Sequence, residues 1–102
     1  MKEFIVGKVV VVRGLYSGTY AGEVVDCSDD FKVIHLRNAK QIRKIVTSDT
    51  SGGLAGILHG TPMEKPDIEK VAYCDGDIFL TENCEIMPLD EQAVLFVEKY
   101  AH

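Results

Sequence analysis

Much is scarce in this 102-residue chain, and each scarcity excludes something. The valine run from Val9 to Val12 is far short of the roughly 20 apolar residues that a membrane-spanning helix requires. Glu3, Gly7 and Lys8 interrupt the apolar stretch that a secretory leader would need, so a cytoplasmic location and no membrane partner are the expectation. The three cysteines, Cys27, Cys74 and Cys84, leave one unpaired in any pairing, and no two have the close spacing of a zinc knuckle. Reduced thiols follow from that. His35, His59 and His102 are scattered, so no metal site is expected. No nucleophile elbow, Walker motif, HExxH or telling Cys-His pair is present, and the reading is of a protein that is not an enzyme and carries no cofactor. Cations are also in the minority: 11 Lys and Arg face 16 Asp and Glu, for a net charge of -5. Long nucleic acid is a poor match for such a surface, because that binding is driven by counterions displaced by an excess of Lys and Arg.

What is present is one basic stretch in an acidic protein. Between residues 31 and 48, FKVIHLRNAKQIRKIVTS, Lys32, Arg37, Lys40, Arg43 and Lys44 occur without a single carboxylate. Such a concentration suits an anionic ligand carrying phosphates, and it equally describes the solvated face of a strand. The length and the 46% hydrophobic content allow one modest core and a single domain over residues 1–102.

The pattern is mainly β. Ile5 to Arg13 reads as a first strand, Tyr20 to Asp26 as a second, and Phe31 to Asn38 as a third. In the third, Lys32, Ile34, Leu36 and Asn38 fall on one face and Phe31, Val33, His35 and Arg37 on the other. Lys40 to Val46 suits a strand better than a helix turn. Ser48 to Gly53 reads as a polar link, Leu54, Ile57 and Leu58 as a short inserted helical segment, and TPMEKPD as a loop. Short strands return at Glu69 to Cys74, Asp77 to Leu80 and Cys84 to Met87, with Pro88 ending the last. Asp90 is placed to cap a C-terminal helix whose apolar stripe is Ala93, Val94, Val97 and Ala101. About five strands, one inserted helical segment and a terminal helix describe a small barrel.

The segment YAGEVVDCSDDFKVIHLRNAKQI, from Tyr20 to Ile42, resembles the first motif of Sm-like proteins, without the Arg-Gly pair of their second motif. Three blocks in order, VVVRGLYSGTYAG, LRNAKQI and DIFLTENCEIMPLDEQA, resemble a family of small phage proteins that includes the first type of Thoeris anti-defence sponge. That resemblance implies a decorated Sm-like fold, close to an SH3-like barrel, assembling as a homo-oligomer of dimers and then a hexamer. It also implies a sponge that sequesters cyclic nucleotide immune signals without cleaving them. The signals are cyclic ADP-ribose isomers and, for some members, cyclic oligonucleotides. Arg13, Tyr16, Ser17 and Gly18 lie in the first block, Asn38, Ala39 and Lys40 in the second, and Leu80, Thr81, Glu82, Glu85 and Ile86 in the third. Where the family runs on from its second block into aromatic residues, this chain has Arg43, Lys44 and Ile45.

Capturing a nucleotide takes donors for phosphate, a flat surface for the base and polar groups for the ribose. Arg13, Arg37, Lys40 and Arg43 have the first chemistry, the Arg side chains as planar forks. Tyr16 or Tyr20 suits stacking on a base, Asn38 a base edge or ribose, Ser17 a phosphate, and Thr81 completes the candidate set. Each has a plainer reading. The tyrosines are also half-buried rim residues of a barrel, and Asn38 a turn residue. Thr81 and Glu82 equally stabilise a turn, Glu82 or Glu85 pairs with a cation, His35 packs against its neighbours, and Asp75 and Asp77 belong to a hairpin turn. The alternative function is an Sm-like or SH3-like adaptor that binds RNA or a protein.

Overall fold

A computed structural model describes residues 2–14, 18–44, 66–72 and 76–102. After a 3-10 turn at Lys2–Phe4 come β1 (Val9–Gly14), β2 (Thr19–Cys27), β3 (Ile34–Lys44), β4 (Asp67–Lys70), β5 (Ile78–Leu80), β6 (Asn83–Pro88) and the helix α1 (Glu91–Tyr100). The protein is mainly β, as its pattern of β-branched runs between turn residues indicates. All six strands join one antiparallel sheet in the order β4-β3-β2-β1-β6, with β5 beside β3. The link expected at Ser48–Gly53, the helical segment at Leu54–Leu58 and nearly all of the TPMEKPD loop lie outside the described residues.

Three strand boundaries differ from the sequence reading. β1 starts at Val9 and not at Ile5, because Gly7 takes a φ of +86° and its N–H donates to Val24 O at 2.8 Å, while Lys8 N–H closes a turn on Ile5 O at 2.9 Å. Propensity was overridden by a turn that tucks Ile5 into the core. The two strands expected at Phe31–Asn38 and Lys40–Val46 are one strand, β3, which starts late because Phe31 sits at φ +62° inside the β2–β3 hairpin. β4 lies earlier than Glu69–Cys74, over Asp67–Lys70.

The sheet buries both faces, which is why β1 tolerates four valines in a row. Val10 and Val12 point into an interior cluster with Val24, Ile34, Leu36, Ile78 and Leu80, and Val11 points the other way, toward Ala21, Ile42, Ile68 and the helix residues Ala93 and Val97. Asp90 caps α1 by accepting Ala93 N–H at 2.8 Å, as its position before Glu91 predicts. Burying Val97 contributes about 1.5 kcal/mol to holding α1 on the sheet.

β3 carries the irregularity that organises everything else. Leu36 and Ala39 both face the interior, so Arg37 and Asn38 both face outward, and the pairing with β2 shifts between Ala21 and Glu23. Asn38 absorbs the extra residue at φ +52°. The strict alternation that would place Asn38 beside Ile34 and Leu36 is therefore corrected: a bulge resets the faces, and Lys40 and Ile42 then lie on the helix side. Gly76, at φ +80°, backs onto this bulge so closely that a Cβ there would meet Ala39 N at 2.9 Å and Asn38 Cα at 3.0 Å.

Residues 101 and 102 run alongside β4. Ile68 and Ala101 form a parallel bridge, His102 N–H donates to Ile68 O at 2.9 Å, and Lys70 N–H donates to His102 O at 2.8 Å. The His102 ring lies 3.2 Å from Asp67 Oδ1. No helix among the described residues is long and apolar enough to cross a membrane.

Candidate functional site

Beyond the bulge, three strands bring three side chains into line. Tyr20 on β2 lies opposite Gln41 on β3, and Gln41 opposite Glu69 on β4, so all three share the face that continues into the interior at Val12. Tyr20 is half-buried against the interior cluster, which fits the plainer reading of a rim residue and leaves part of its ring accessible. A cleft of about 190 Å³ opens here, lined by Tyr20, Gln41, Glu69, Lys70, Val71 and Ala72. Arg43, two residues beyond Gln41, places Nη1 3.0 Å from Glu69 Oε2.

Other candidate residues go elsewhere. Arg37 projects outward and donates through Nε to Glu23 Oε2, its neighbour across the β2–β3 pair. That hydrogen bond, with the charge behind it, holds the Glu23 carboxyl below its ordinary range and raises the guanidinium of Arg37. Lys40 is turned under α1 and only 3% exposed, with Nζ donating to Asn38 O at 3.1 Å and to Glu98 Oε1 at 3.3 Å. It pins the helix to the sheet. Arg13 is at the far end of β1, with Nη2 3.7 Å from Glu85 Oε2 within the same chain. Thr81 is exposed just after β5. Tyr16 and Ser17 lie outside the described residues. The fold therefore sets Tyr20 at the cleft and pairs Arg43 with Glu69, one of the residues lining it, leaves Arg37 and Asn38 outward and Lys40 beneath the helix, and sets Arg13 and Thr81 apart.

Each of these four cations faces a carboxylate, but exposed pairs of this kind are worth about 0–1 kcal/mol. A phosphate, with more charge and more acceptor oxygens, can displace a surface carboxylate from Arg43. Lys40 is different, since moving it means uncovering a buried ammonium.

A second row lies at the other end of β3, on the opposite face. Asp26 on β2 is opposite His35, and His35 opposite Phe79 on β5. The imidazole and phenyl rings stack with centroids 4.2 Å apart and planes 15° from parallel. His35 packs here, as expected, with Nε2 buried and 3.6 Å from Asp77 Oδ2. Phe79 is 66% exposed. With Asp26, Cys27, Ser28 and Val33 the two rings line a cleft of about 290 Å³. The hairpin wall is well knit: Ser28 Oγ donates to Asp30 Oδ1 at 2.7 Å, Val33 N–H donates to Ser28 Oγ at 3.0 Å, and Lys32 N–H donates to Asp30 at 3.1 Å. The Ser28 hydroxyl, followed by the Lys32 N–H, depresses the pKa of Asp30.

Gln41, Glu69 and Phe79 were missed by sequence reasoning. Phe79 was the most accessible of them, since alternation through Ile78, Phe79 and Leu80 already turns it away from two core residues. Gln41 and Glu69 gave no such signal, because their alignment depends on a pairing between segments far apart in the chain. Cys27 is buried, and among the described residues no group of His, Cys, Asp or Glu is arranged to hold a metal ion. No protein-family model, curated protein or solved structure matches the chain.

Proposed function

We propose that this protein is a non-catalytic sponge that captures a cyclic nucleotide immune signal, in the manner of the small phage family its three blocks resemble, on an Sm-like barrel acting in the cytoplasm of the infected cell. The observation that carries this reading is the Tyr20–Gln41–Glu69 row with Arg43 beside it. It offers an aromatic ring for a base, at about 1–3 kcal/mol per stacked base. It also offers an amide for a base edge or ribose and a guanidinium for phosphate.

The size of the cleft bears on assembly. At about 190 Å³ it falls below the roughly 300–1,000 Å³ of an ordinary small-molecule pocket, so one protomer holds part of a nucleotide. A second copy supplying the other wall explains why capture goes with the homo-oligomer, dimer or hexamer, that the resemblance implies. Sequestration needs only binding.

The test is incubation with a panel of cyclic ADP-ribose isomers and cyclic dinucleotides, native mass spectrometry of the assembly, then heat release and identification of the ligand. Intact ligand at a fixed stoichiometry, lost in Arg43→Ala, is the expected result. A cleaved product turns the reading into an enzyme, and a monomer that retains none of the panel rejects it.

A further inference from the structure

Glu69 lines the Tyr20 cleft, yet the proposed function gives it no role, and a carboxylate facing a phosphate directly repels it. Its place in the row resolves this. Tyr20 on β2 and Glu69 on β4 are each opposite Gln41 on β3, so with strands about 4.8 Å apart the two are about 10 Å from each other across the row. Arg43 meets the row at Glu69, with Nη1 3.0 Å from Oε2. From Tyr20 the chemistry therefore runs from aromatic ring through amide to carboxylate, and ends at the guanidinium paired with that carboxylate. A nucleotide runs in the same order, from flat base through ribose hydroxyls to phosphate.

Resting on the reading of this cleft as a nucleotide site, we infer that Glu69 recognises the sugar, accepting hydrogen bonds from the ribose hydroxyls, so that the ligand class is ribonucleotides and not deoxyribonucleotides. A carboxylate only accepts, and its two oxygens suit the two neighbouring hydroxyl donors of a ribose. The Arg43–Glu69 pair is about half exposed at both ends, so a ligand can open it. Phosphate then takes the guanidinium while the hydroxyls take the carboxylate, and neither charge is left bare. A 2′-deoxyribose brings one donor fewer and leaves Glu69 under-satisfied beside a phosphate. The N–H edge of a guanine also suits a carboxylate, but that pose puts the base at the Arg43 end and carries the phosphate away from its cation.

The experiment is an NMR titration of the whole protein with AMP and 2′-deoxy-AMP, and with GMP and 2′-deoxy-GMP as separate arms. The expected result is shifts centred on Tyr20, Gln41 and Glu69, with AMP binding about tenfold more tightly than 2′-deoxy-AMP, the worth of one hydrogen bond to a charged group. Glu69→Gln, a change at a half-exposed side chain, should erase most of that difference and leave 2′-deoxy-AMP at or above its wild-type affinity. Arg43→Ala should weaken both adenine arms by the same factor. Equal affinity for AMP and 2′-deoxy-AMP overturns this inference alone and leaves the cleft a nucleotide site. GMP and 2′-deoxy-GMP binding alike, and both more tightly than AMP, also overturn it by assigning Glu69 to a base edge. No shift of the row in any arm overturns the proposed function, and this inference with it.

Discussion

The two ends of β3 make an instructive pair. Each carries a row of three side chains in register across three strands, each row includes one aromatic ring, and each borders a cleft. They differ in sign and in face. The Tyr20 row has Arg43 within reach and continues into the sheet interior, while the Asp26 row is edged by aspartates and looks outward. Between them is a single inserted residue, Asn38, whose left-handed backbone moves the strand from one facing to the other. Opposite chemistries on one strand thus rest on one bulge, with Gly76 packed behind it.

The strongest way to break this comparison is to disturb the bulge. Gly76→Ala should cost about 3 kcal/mol in denaturant unfolding, because a left-handed Cβ is strained and here it also strikes the β3 backbone. Both rows should lose order together; if only one does, they are not coupled through the bulge. Asn38→Val should cost about 1–2 kcal/mol, while Asn38→Gly should be near neutral, since only the former puts a branched Cβ at positive φ. At the helix, Glu98→Ala should cost about 1 kcal/mol by leaving the buried Lys40 ammonium with Asn38 O alone, and adding Lys40→Met should restore most of it.

The smallest effects concern pH. The carboxyl of Glu23 is depressed in the folded protein by Arg37, so its contribution is present above the unfolded-state pKa and lost as pH falls through the folded one. Arg37→Gln should reduce that acid dependence and leave stability near neutral pH almost unchanged, because the pair is exposed to solvent. At the acidic end, Ser28→Ala should raise the Asp30 pKa toward its ordinary value, read by NMR titration, because the serine hydroxyl is its leading stabiliser.

Much of the fold was legible in local pattern. The mainly β character, the closing strands around Ile78–Leu80 and Asn83–Pro88, and the Asp90 cap all follow from short-range chemistry: β-branched runs, turn residues, and a carboxylate just ahead of a helix. What escaped was set by distant contacts. Nothing around Ile5 announces the turn that Gly7 makes by bonding to Val24, and nothing in LRNAKQI marks Asn38 as an extra residue until β2 is laid beside it. The basic stretch looked like one patch in the sequence because it is contiguous there. In the fold it separates: Arg37 goes outward to Glu23, Lys40 goes beneath the helix, and Arg43 goes to Glu69, which lines the Tyr20 cleft.

The short run beside β4 limits how copies of this chain can meet. Hydrogen-bonding groups of Ile68 and Lys70 that would otherwise invite a neighbouring strand are already taken by His102. Sheet extension from one molecule to the next is steered away from that border, and oligomer models that splice a foreign strand onto β4 must first peel the tail off.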